Sequence, residues 1–179
     1  MKYKKVSRKL GNYNEIVDLY TKSFPSNERL PFWLITLLAK RKCADFFAFY
    51  DNECFCGITY LIYYKNLTFI FYLAVNTSIR SKGYGSRILQ WIEKYKKNND
   101  IILCIEPIEE SDNYEQRVQR LKFYQKNGYV QTGYQIMDGE PFELLFKGKK
   151  FSDNMYHKLI KNFSFGFISK KIITPECNN

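Results

Sequence analysis

The sequence contains a single histidine and no apolar run long enough to cross a membrane. A zinc site needs about four Cys or His ligands, and His157 has only a few unevenly spaced cysteines to join it, so we expect no metal. A membrane-spanning helix needs about 20 consecutive apolar residues. Residues 1–6 also lack the apolar core of a secretory signal. These absences predict a cytoplasmic protein with no membrane partner.

The cysteines do not follow the pattern of a disulfide framework. Their number is odd, their spacing is irregular, and a chain of 179 residues is large enough to build a core without them. We expect reduced thiols at every cysteine: Cys43, Cys54, Cys56, Cys104 and Cys177.

No repeat divides the chain, and it has no linker rich in Gly, Ser or Pro. A domain typically takes roughly 100 to 200 residues. The length and a hydrophobic content of 45% therefore predict a single domain spanning 1–179.

Basic residues are in excess, with 28 Lys+Arg against 18 Asp+Glu and a net charge of +10. A basic face attracts nucleic acid through its phosphates. The lysines are scattered, however, with short runs such as those at 2–5, 94–97 and 147–150. This scatter favours a compositional bias, and nucleic-acid binding is kept as a lesser alternative.

Hydrophobic periodicity predicts the order β, α, α, β, β, β, α, β, α, β, β and a last helix. An antiparallel meander that leads into a strand-helix-strand unit indicates an α/β fold, a mixed sheet with helices on its faces. Asn127-Gly128 predicts a left-handed helix end, and Asp138-Gly139 predicts a hairpin. The predicted strands cover 3–8, 44–50, 55–65, 67–75, 101–105, 129–137 and 142–147, and the helices cover 15–23, 31–40, 84–97, 114–125 and 153–162.

The segment 73–86, LAVNTSIRSKGYGS, carries the most chemical information. Gly83 and Gly85 let the backbone approach a ligand, and Arg80 and Lys82 add positive charge. Because the free N–H groups of a first helical turn bind anions, the segment predicts a pyrophosphate site. It lacks the Gly-Lys-Ser/Thr of a P-loop and the third glycine of a dinucleotide fingerprint. On these residues alone, an ordinary glycine turn before a helix is the alternative.

Two motifs together resemble one family. Arg80-x-x-Gly83-x-Gly85 after an apolar strand is similar to the acetyl-CoA loop of the GNAT N-acetyltransferases, and Phe123-Tyr124-Gln-Lys-Asn-Gly128-Tyr129 resembles their helix that ends in Tyr before a Gly-aromatic turn. The resemblance extends over about 12–147 and leaves 148–179 as a C-terminal extension. It implies a mixed, mostly antiparallel sheet of about seven strands, a splayed central pair of strands, and acetyl-CoA as co-substrate.

The resemblance implies that the coenzyme A diphosphate lies on the backbone amides around Lys82 to Ser86. Leu73 and Val75 would pair through their backbone with the pantetheine arm, and the Val75 N–H would polarise the thioester carbonyl like an oxyanion-hole donor. The cofactor-binding residues implied in this way are Leu73, Val75, Arg80, Ser81, Lys82, Gly83, Tyr84, Gly85 and Ser86.

Tyr124 matches the family's general acid, which protonates the departing thiolate. The alternative is a tyrosine that packs near a helix end with its hydroxyl at the surface. Seven residues earlier, where the family usually has an Asn on the pantetheine arm, this chain has Arg117, so that contact is not carried over. Arg117 and Arg120 are expected either to reach the nucleotide phosphates or to face solvent.

An amine acceptor has an ordinary pKa near 10.4 and must lose a proton before it attacks. Glu106 follows the strand 101–105 and is the candidate base and a candidate acceptor contact. An ordinary polar residue at a strand end is the alternative. Cys104 is a candidate acyl carrier, although a buried cysteine acting as a small hydrophobe is commoner.

Two segments concern the acceptor. In the family, the connection between the first two helices usually forms part of the acceptor wall, which makes Glu28, Arg29 and Phe32 candidate contacts. If the acidic segment 106–115 borders the acceptor site, it attracts a cationic amine such as a polyamine, an aminoglycoside or a lysine-bearing peptide. A solvated acidic loop is the alternative. The acids concerned are Glu106, Glu109, Glu110, Asp112 and Glu115.

The sequence therefore predicts an enzyme that moves the acetyl group of acetyl-CoA to a primary amine by direct attack. The acceptor is a small molecule or a peptide, and its identity stays open. The extension 148–179 covers the sheet edge, completes the acceptor pocket or mediates a homodimer. The competing hypotheses are a non-catalytic acyl-CoA sensor and a basic nucleic-acid-binding protein.

Overall fold

The computed structural model describes residues 1–79, 82–138, 140–164 and 171–173. They form two compact units. The first takes in Met1–Ile62 and Ile70–Lys96, and the second takes in Tyr63–Phe69 and the described residues from Lys97 onward. The single domain expected for 1–179 stays a prediction.

The first unit contains a four-stranded run in the order β1-β2-β3-β4, with three helices. The turn at Asn52 has a positive φ of 53° and joins β2 to β3, as the predicted meander requires. Both described pairings, β1 with β2 and β2 with β3, are antiparallel. The elements are β1 (Lys2–Lys5), α1 (Tyr13–Ser23), α2 (Phe32–Leu38), β2 (Ala44–Asp51), β3 (Cys54–Tyr64), β4 (Leu67–Val75), a 3-10 turn (Thr77–Ile79) and α3 (Tyr84–Tyr95).

Helix α3 shows why the apolar spacing of the sequence produces this unit. Ile88, Leu89 and Ile92 recur at helical intervals and have no exposed surface. Across the interface, Gly57 of β3 lies beside Ile88, since a Cβ built on Gly57 would stand 3.2 Å from Ile88 Cδ1. The apolar face of α3 therefore packs on the sheet, and its first turn is held at the end of β4.

The second unit contains strands in the order β5-β7-β6-β8, and all three of these pairings are antiparallel. β4 also begins in this unit, where the N–H of Asp100 donates to the carbonyl of Asn66 at 2.8 Å. The elements are β5 (Asp100–Ile105), α4 (Tyr114–Lys126), β6 (Val130–Asp138), β7 (Glu140–Lys147), α5 (Asp153–Ser164) and β8 (Lys171–Ile173).

The predicted α/β class, a mixed and mostly antiparallel sheet with helices, is confirmed. The described residues form eight strands, one more than predicted. The additional strand, β8, has three residues and pairs with β6, so this part of the C-terminal extension covers a sheet edge. A segment this short carries too little periodicity to be predicted as a strand. Gly139, at the predicted β6–β7 hairpin, lies outside the described residues.

Among the helices in the described part of the chain, none combines the length and the apolar character needed to cross a membrane.

Candidate active site

Asn76 fixes the chain where it leaves β4. Its backbone N–H donates to the Cys56 carbonyl at 2.9 Å, and its Nδ2 donates to the Phe55 carbonyl at 3.0 Å. Its Oδ1 accepts from the N–H and the hydroxyl of Ser78 at 3.2 and 2.9 Å. Sequence reasoning missed Asn76, although Asn favours turns because its side chain can hydrogen-bond the backbone two residues further on. The loop toward α3 therefore starts from a defined position on the sheet.

Helix α3 begins at a glycine in the left-handed conformation. Gly83 has a φ of 76°, and a Cβ at this position would meet no atom within 4 Å. The carbonyl of Gly83 accepts the first helical hydrogen bond from the N–H of Arg87 at 3.1 Å. The N–H groups before Arg87 have no partner within the helix because they lie in its first turn. These groups and the exposed Lys82 form an electropositive surface suited to a diphosphate.

Arg80 and Ser81, two of the predicted cofactor contacts, lie outside the described residues. Leu73 and Val75 are half-buried near the end of β4, on either side of the buried Ala74. Gly85 and Ser86 lie in the first turn of α3, as the sequence predicts.

The side chain of Tyr84, another predicted cofactor residue, points to an acid of the same unit. Its hydroxyl donates to Asp51 Oδ2 at 3.0 Å, and Arg87 Nη1 donates to the same oxygen at 2.9 Å. The Arg87 guanidinium, followed by the Tyr84 hydroxyl, holds the pKa of Asp51 below its usual range. The hydrogen bond to Asp51 raises the pKa of Tyr84. These contacts tie the β2–β3 turn to the first turn of α3.

Tyrosine hydroxyls hold the connection between α1 and α2. Tyr72 on β4 accepts from the N–H of Leu30 at 3.0 Å and donates to the Glu28 carbonyl at 3.2 Å. Tyr20 donates to the Leu30 carbonyl at 2.8 Å. The backbone of this predicted acceptor wall is thus fixed against the fourth strand.

Arg29 and Phe32, two of the predicted acceptor contacts, pack against neighbouring residues of the first unit. Arg29 Nη1 donates to the Phe24 and Thr21 carbonyls at 2.8 and 3.0 Å, which closes the C-terminal end of α1. Phe32 is half-buried and packs its ring in edge contacts with neighbouring rings. The rings around it are Tyr13, Tyr20 and Phe46, with centroids 5.4 to 5.7 Å away.

In the second unit, Tyr124 lies near the end of α4 and is 8% exposed. Its ring contacts Phe123 and Tyr129, with centroids 5.0 and 5.8 Å away. Its hydroxyl forms no hydrogen bond with any other described residue. Burial raises the pKa of Tyr124 to about 12, and the charge of Arg120 opposes that rise. The phenol is therefore protonated at neutral pH and available as a proton donor.

The end of α4 confirms the predicted left-handed C-cap. Gly128 has a φ of 84°, and its N–H donates to the Gln125 carbonyl at 2.9 Å. The N–H of Tyr129 donates to the Tyr124 carbonyl at 3.1 Å. Lys147 Nζ donates to the Asn127 carbonyl at 2.8 Å, where a cation suits the negative end of a helix dipole.

Glu106, the candidate base, lies in a cluster of donors. Asn113 Nδ2 donates to Glu106 Oε1 at 3.3 Å, and Arg117 Nη2 lies 3.8 Å from the same oxygen. Arg120 Nη1 donates to Glu106 Oε2. Arg117 also donates to the Pro107 carbonyl at 2.9 Å and to Asn113 Oδ1 at 2.8 Å. Its side chain is only 18% exposed, so of the two alternatives given for Arg117 the solvent-facing one is wrong.

The remaining acids of segment 106–115 are exposed: Glu109, Glu110, Asp112 and Glu115. They form a negatively charged surface beside Glu106, whose carboxylate is paired with Arg120. Cys104, on β5, is half-buried and not in a disulfide.

Comparison with known families decides the identification. The family model for the acetyltransferase (GNAT) domain matches residues 42–131, which is half of the chain. The chain belongs to the GNAT acetyltransferase family. The match includes both motifs that carry the resemblance, so the family assignment and the expectation of an acyltransferase are confirmed. A search of the curated proteins finds no match.

Solved structures of GNAT proteins share the fold. One, described as an acetyltransferase of the GNAT family from Bacteroides thetaiotaomicron, has a TM-score of 0.73 at 18% identity and covers 94% of this chain and 100% of its own. The aminoglycoside 6'-N-acetyltransferase from Enterococcus faecium has a TM-score of 0.62 at 17% identity, covering 86% and 100%. A GNAT acetyltransferase from Elizabethkingia anophelis with acetyl-CoA bound has a TM-score of 0.57 at 14% identity, covering 83% and 97%.

Proposed function

We propose that this GNAT protein transfers the acetyl group of acetyl-CoA to a primary amine by direct attack. The observation that carries the proposal is the burial of Tyr124 near the end of α4, with a hydroxyl that forms no hydrogen bond with another described residue. A GNAT neighbour is named for an amine substrate and another for bound acetyl-CoA, which supports both halves of the reaction.

The end of β4 and the loop before α3 supply the proposed acetyl-CoA contacts. The amides from Lys82 to Ser86 would take the diphosphate, because Gly83 leaves open space before the first turn of α3. Arg80, Ser81 and Lys82 belong to the same proposed loop. The backbone of Leu73 and Val75 would hold the pantetheine arm. A donor such as the Val75 N–H, aimed at a developing oxyanion, contributes a few kcal/mol to lowering the barrier.

Tyr124 is the proposed acid. The neutral amine attacks the thioester carbonyl carbon and forms a C–N bond and a tetrahedral oxyanion. The oxyanion collapses, the C–S bond breaks, and Tyr124 gives its proton to the departing thiolate. The amine nitrogen loses one proton to a base. The products are the acetamide and coenzyme A, and Tyr124 regains its proton from solvent.

Glu106 stays the predicted base from the sequence. Its carboxylate accepts from Asn113 and Arg120 and lies near Arg117, so several of its lone pairs are already used. These contacts favour a positioning role for Glu106.

We propose a cationic acceptor. The exposed acids at 109, 110, 112 and 115 support it, since a concentrated negative surface raises the local concentration of a cation. Glu28 stays a proposed acceptor contact. Arg29 and Phe32 would stabilise the conformation of the connection between α1 and α2, because their side chains already contact Phe24 and Tyr20.

The test is the release of coenzyme A from acetyl-CoA in the presence of single amines, measured as free thiol. The panel contains a polyamine, an aminoglycoside, a lysine-bearing peptide and a neutral amine. Turnover with a cationic amine supports the proposal. Binding of acetyl-CoA without turnover on any amine would indicate the sensor, and steeply salt-dependent binding of DNA without binding of acetyl-CoA would indicate the nucleic-acid protein.

A further inference from the structure

One face of α4 joins the cluster around Glu106 to Tyr124. Residues three and four apart on a helix lie on the same side, so Arg117, Arg120 and Tyr124 follow one another along that face. Arg120 lies one turn before Tyr124. The group that binds the Arg120 side chain therefore fixes the position of its positive charge relative to the Tyr124 phenol.

Glu106 holds that side chain from the end of β5. Its Oε2 accepts from Arg120 Nη1, and its Oε1 accepts from Asn113 and lies 3.8 Å from Arg117 Nη2. Glu106 is 20% exposed and Arg120 is 36% exposed, so neither group is freely solvated. A partly buried ion pair of this kind is less screened by salt than a surface pair.

The other elements around Tyr124 contribute few charges. On its own helix, Lys122 and Lys126 are exposed. Tyr129, after the helix, packs its ring against Tyr124, and Lys147 of β7 lies 5.7 Å from the Tyr129 ring centroid while it bonds to the Asn127 carbonyl. Asp100 begins β5, and its Oδ1 accepts from the Lys149 N–H, while Glu106 follows the last residue of β5. Arg120 is the cation that acts on the titration of Tyr124, and Glu106 is the acid that holds it.

We propose that Glu106 and Arg120 are a positioning pair for proton donation by Tyr124. Glu106 keeps the Arg120 guanidinium one turn before the phenol, and the positive charge there stabilises the tyrosinate that forms when Tyr124 protonates the departing thiolate. The inference rests on the proposed role of Tyr124. It gives Glu106 a function through Arg120 in place of proton abstraction from the amine.

The physical reason is a conflict at Tyr124. Burial disfavours the charged tyrosinate and raises the pKa of Tyr124, which keeps the proton on the phenol but makes the phenol a weak acid. A fixed cation lowers that pKa and eases proton transfer in the transition state. A solvated, mobile arginine would do this less well, because water screens its charge.

The test places 3,5-difluorotyrosine at position 124 of the full chain. Its phenol is more acidic than that of tyrosine, so its titration falls within a workable pH range, and ¹⁹F NMR reports the pKa without turnover. We expect Arg120→Gln to raise the probe pKa by about 1, and Arg120→Lys to restore most of the difference. Lys122→Gln is the matched control, an exposed residue of the same helix with the same change in charge. No rise in Arg120→Gln, or an equal rise in Lys122→Gln, overturns the proposal.

A double-mutant cycle tests whether Glu106 acts on Tyr124 through Arg120. If Glu106 positions Arg120, the pKa effect of Arg120→Gln is at least halved in a Glu106→Gln background. An equal effect in both backgrounds removes Glu106 from the proposal. The ¹⁹F spectrum of each variant also shows whether the site around Tyr124 has kept its structure.

Kinetics separate the positioning pair from a general base and from a failure of the proposed function. A positioning pair predicts that Arg120→Gln and Glu106→Gln each lower kcat by roughly 3 to 30-fold, with little additional loss in the double variant. A general base predicts that Glu106→Gln lowers kcat as much in the Arg120→Gln background as alone. If Tyr124→Phe keeps full activity while the ¹⁹F coupling holds, the assignment of Tyr124 fails and the electrostatic coupling stands.

Discussion

Gly57 of β3 approaches the carbonyl oxygen of Ala74 on β4 so closely that a Cβ on Gly57 would lie 2.4 Å from it. The same Cβ would lie 3.2 Å from Val75 Cα. The end of β4 therefore packs against a position of β3 where only glycine fits. This part of β4 includes the proposed oxyanion donor Val75. Neither the loop motif nor the helix motif in the sequence points to this residue.

Gly57→Ala is expected to destabilise the protein and to impair turnover. Because the obstructing atoms are backbone atoms, the strands must shift, and overpacking of this kind costs about 1 to 3 kcal/mol of unfolding free energy. Gly11→Ala is the control, since a Cβ at Gly11 meets no atom within 4 Å. Urea unfolding checks the prediction, and equal midpoints for the two variants would contradict it.

Gly83→Ala is expected to weaken acetyl-CoA binding. An L-residue at a φ of 76° is strained by roughly 1 to 2 kcal/mol, so the start of α3 relaxes and the first-turn amides move. Gly83→Asn is the matched control, because Asn tolerates this region better than Ala does. Calorimetric titration with acetyl-CoA measures both. Tighter binding by the Ala variant than by the Asn variant would argue against the assigned site.

Asp51→Asn is expected to lower stability at pH 7 and to leave stability unchanged in strong acid. The native pKa of Asp51 is depressed by Arg87 and then by Tyr84. Its contribution is therefore present above the unfolded pKa of about 3.9 and is lost as the pH falls through the lower native pKa.

Urea midpoints at pH 7 and near pH 3 test the Asp51 prediction. Asp18→Asn is the control, because Asp18 pairs with Lys22 on the surface of α1 and both side chains are at least 70% exposed. A difference between wild type and Asp51→Asn that is as large at pH 3 as at pH 7 would show that the carboxylate charge is not responsible.

Tyr124→Phe is expected to lower kcat by about 10² or more while the Kd for acetyl-CoA changes less than about twofold. The phenyl ring keeps the contacts with Phe123 and Tyr129, so the loss isolates the hydroxyl. Tyr114→Phe, at the exposed start of the same helix, is the control. Undiminished turnover would withdraw Tyr124 as the acid.

Neutralising Glu109, Glu110 and Asp112 together is expected to raise the KM for a polycationic amine several-fold at low salt. Because these side chains are exposed, the effect should vanish at high ionic strength and should be absent for a neutral amine. A parallel change of three exposed charges elsewhere, such as Glu15, Asp18 and Glu53, is the control. Equal KM values in the two triple variants would remove the steering role.

Local signals in the sequence were sufficient for most of the fold. The helical spacing at 84–97 and the left-handed signal at Asn127-Gly128 both correspond to observed structure. Such patterns are local, because one amphipathic face or one turn residue determines them. The same is true of the two motifs, which led to the family that the family model then matched.

The partners of the charged and polar side chains were decided by the tertiary structure. Glu106 and Arg120 are 14 positions apart in the chain, and Asp51 and Arg87 are 36 apart. No periodicity encodes these pairings, because a charged residue on a helix or at a strand end has the same local pattern whether it faces water or another charge. The sequence alone determined where the predicted diphosphate loop and the candidate acid lie in the chain. Only the tertiary structure determined that Glu106 pairs with Arg120 and that Asp51 pairs with Arg87 of α3, because long-range packing selects the partners of these groups.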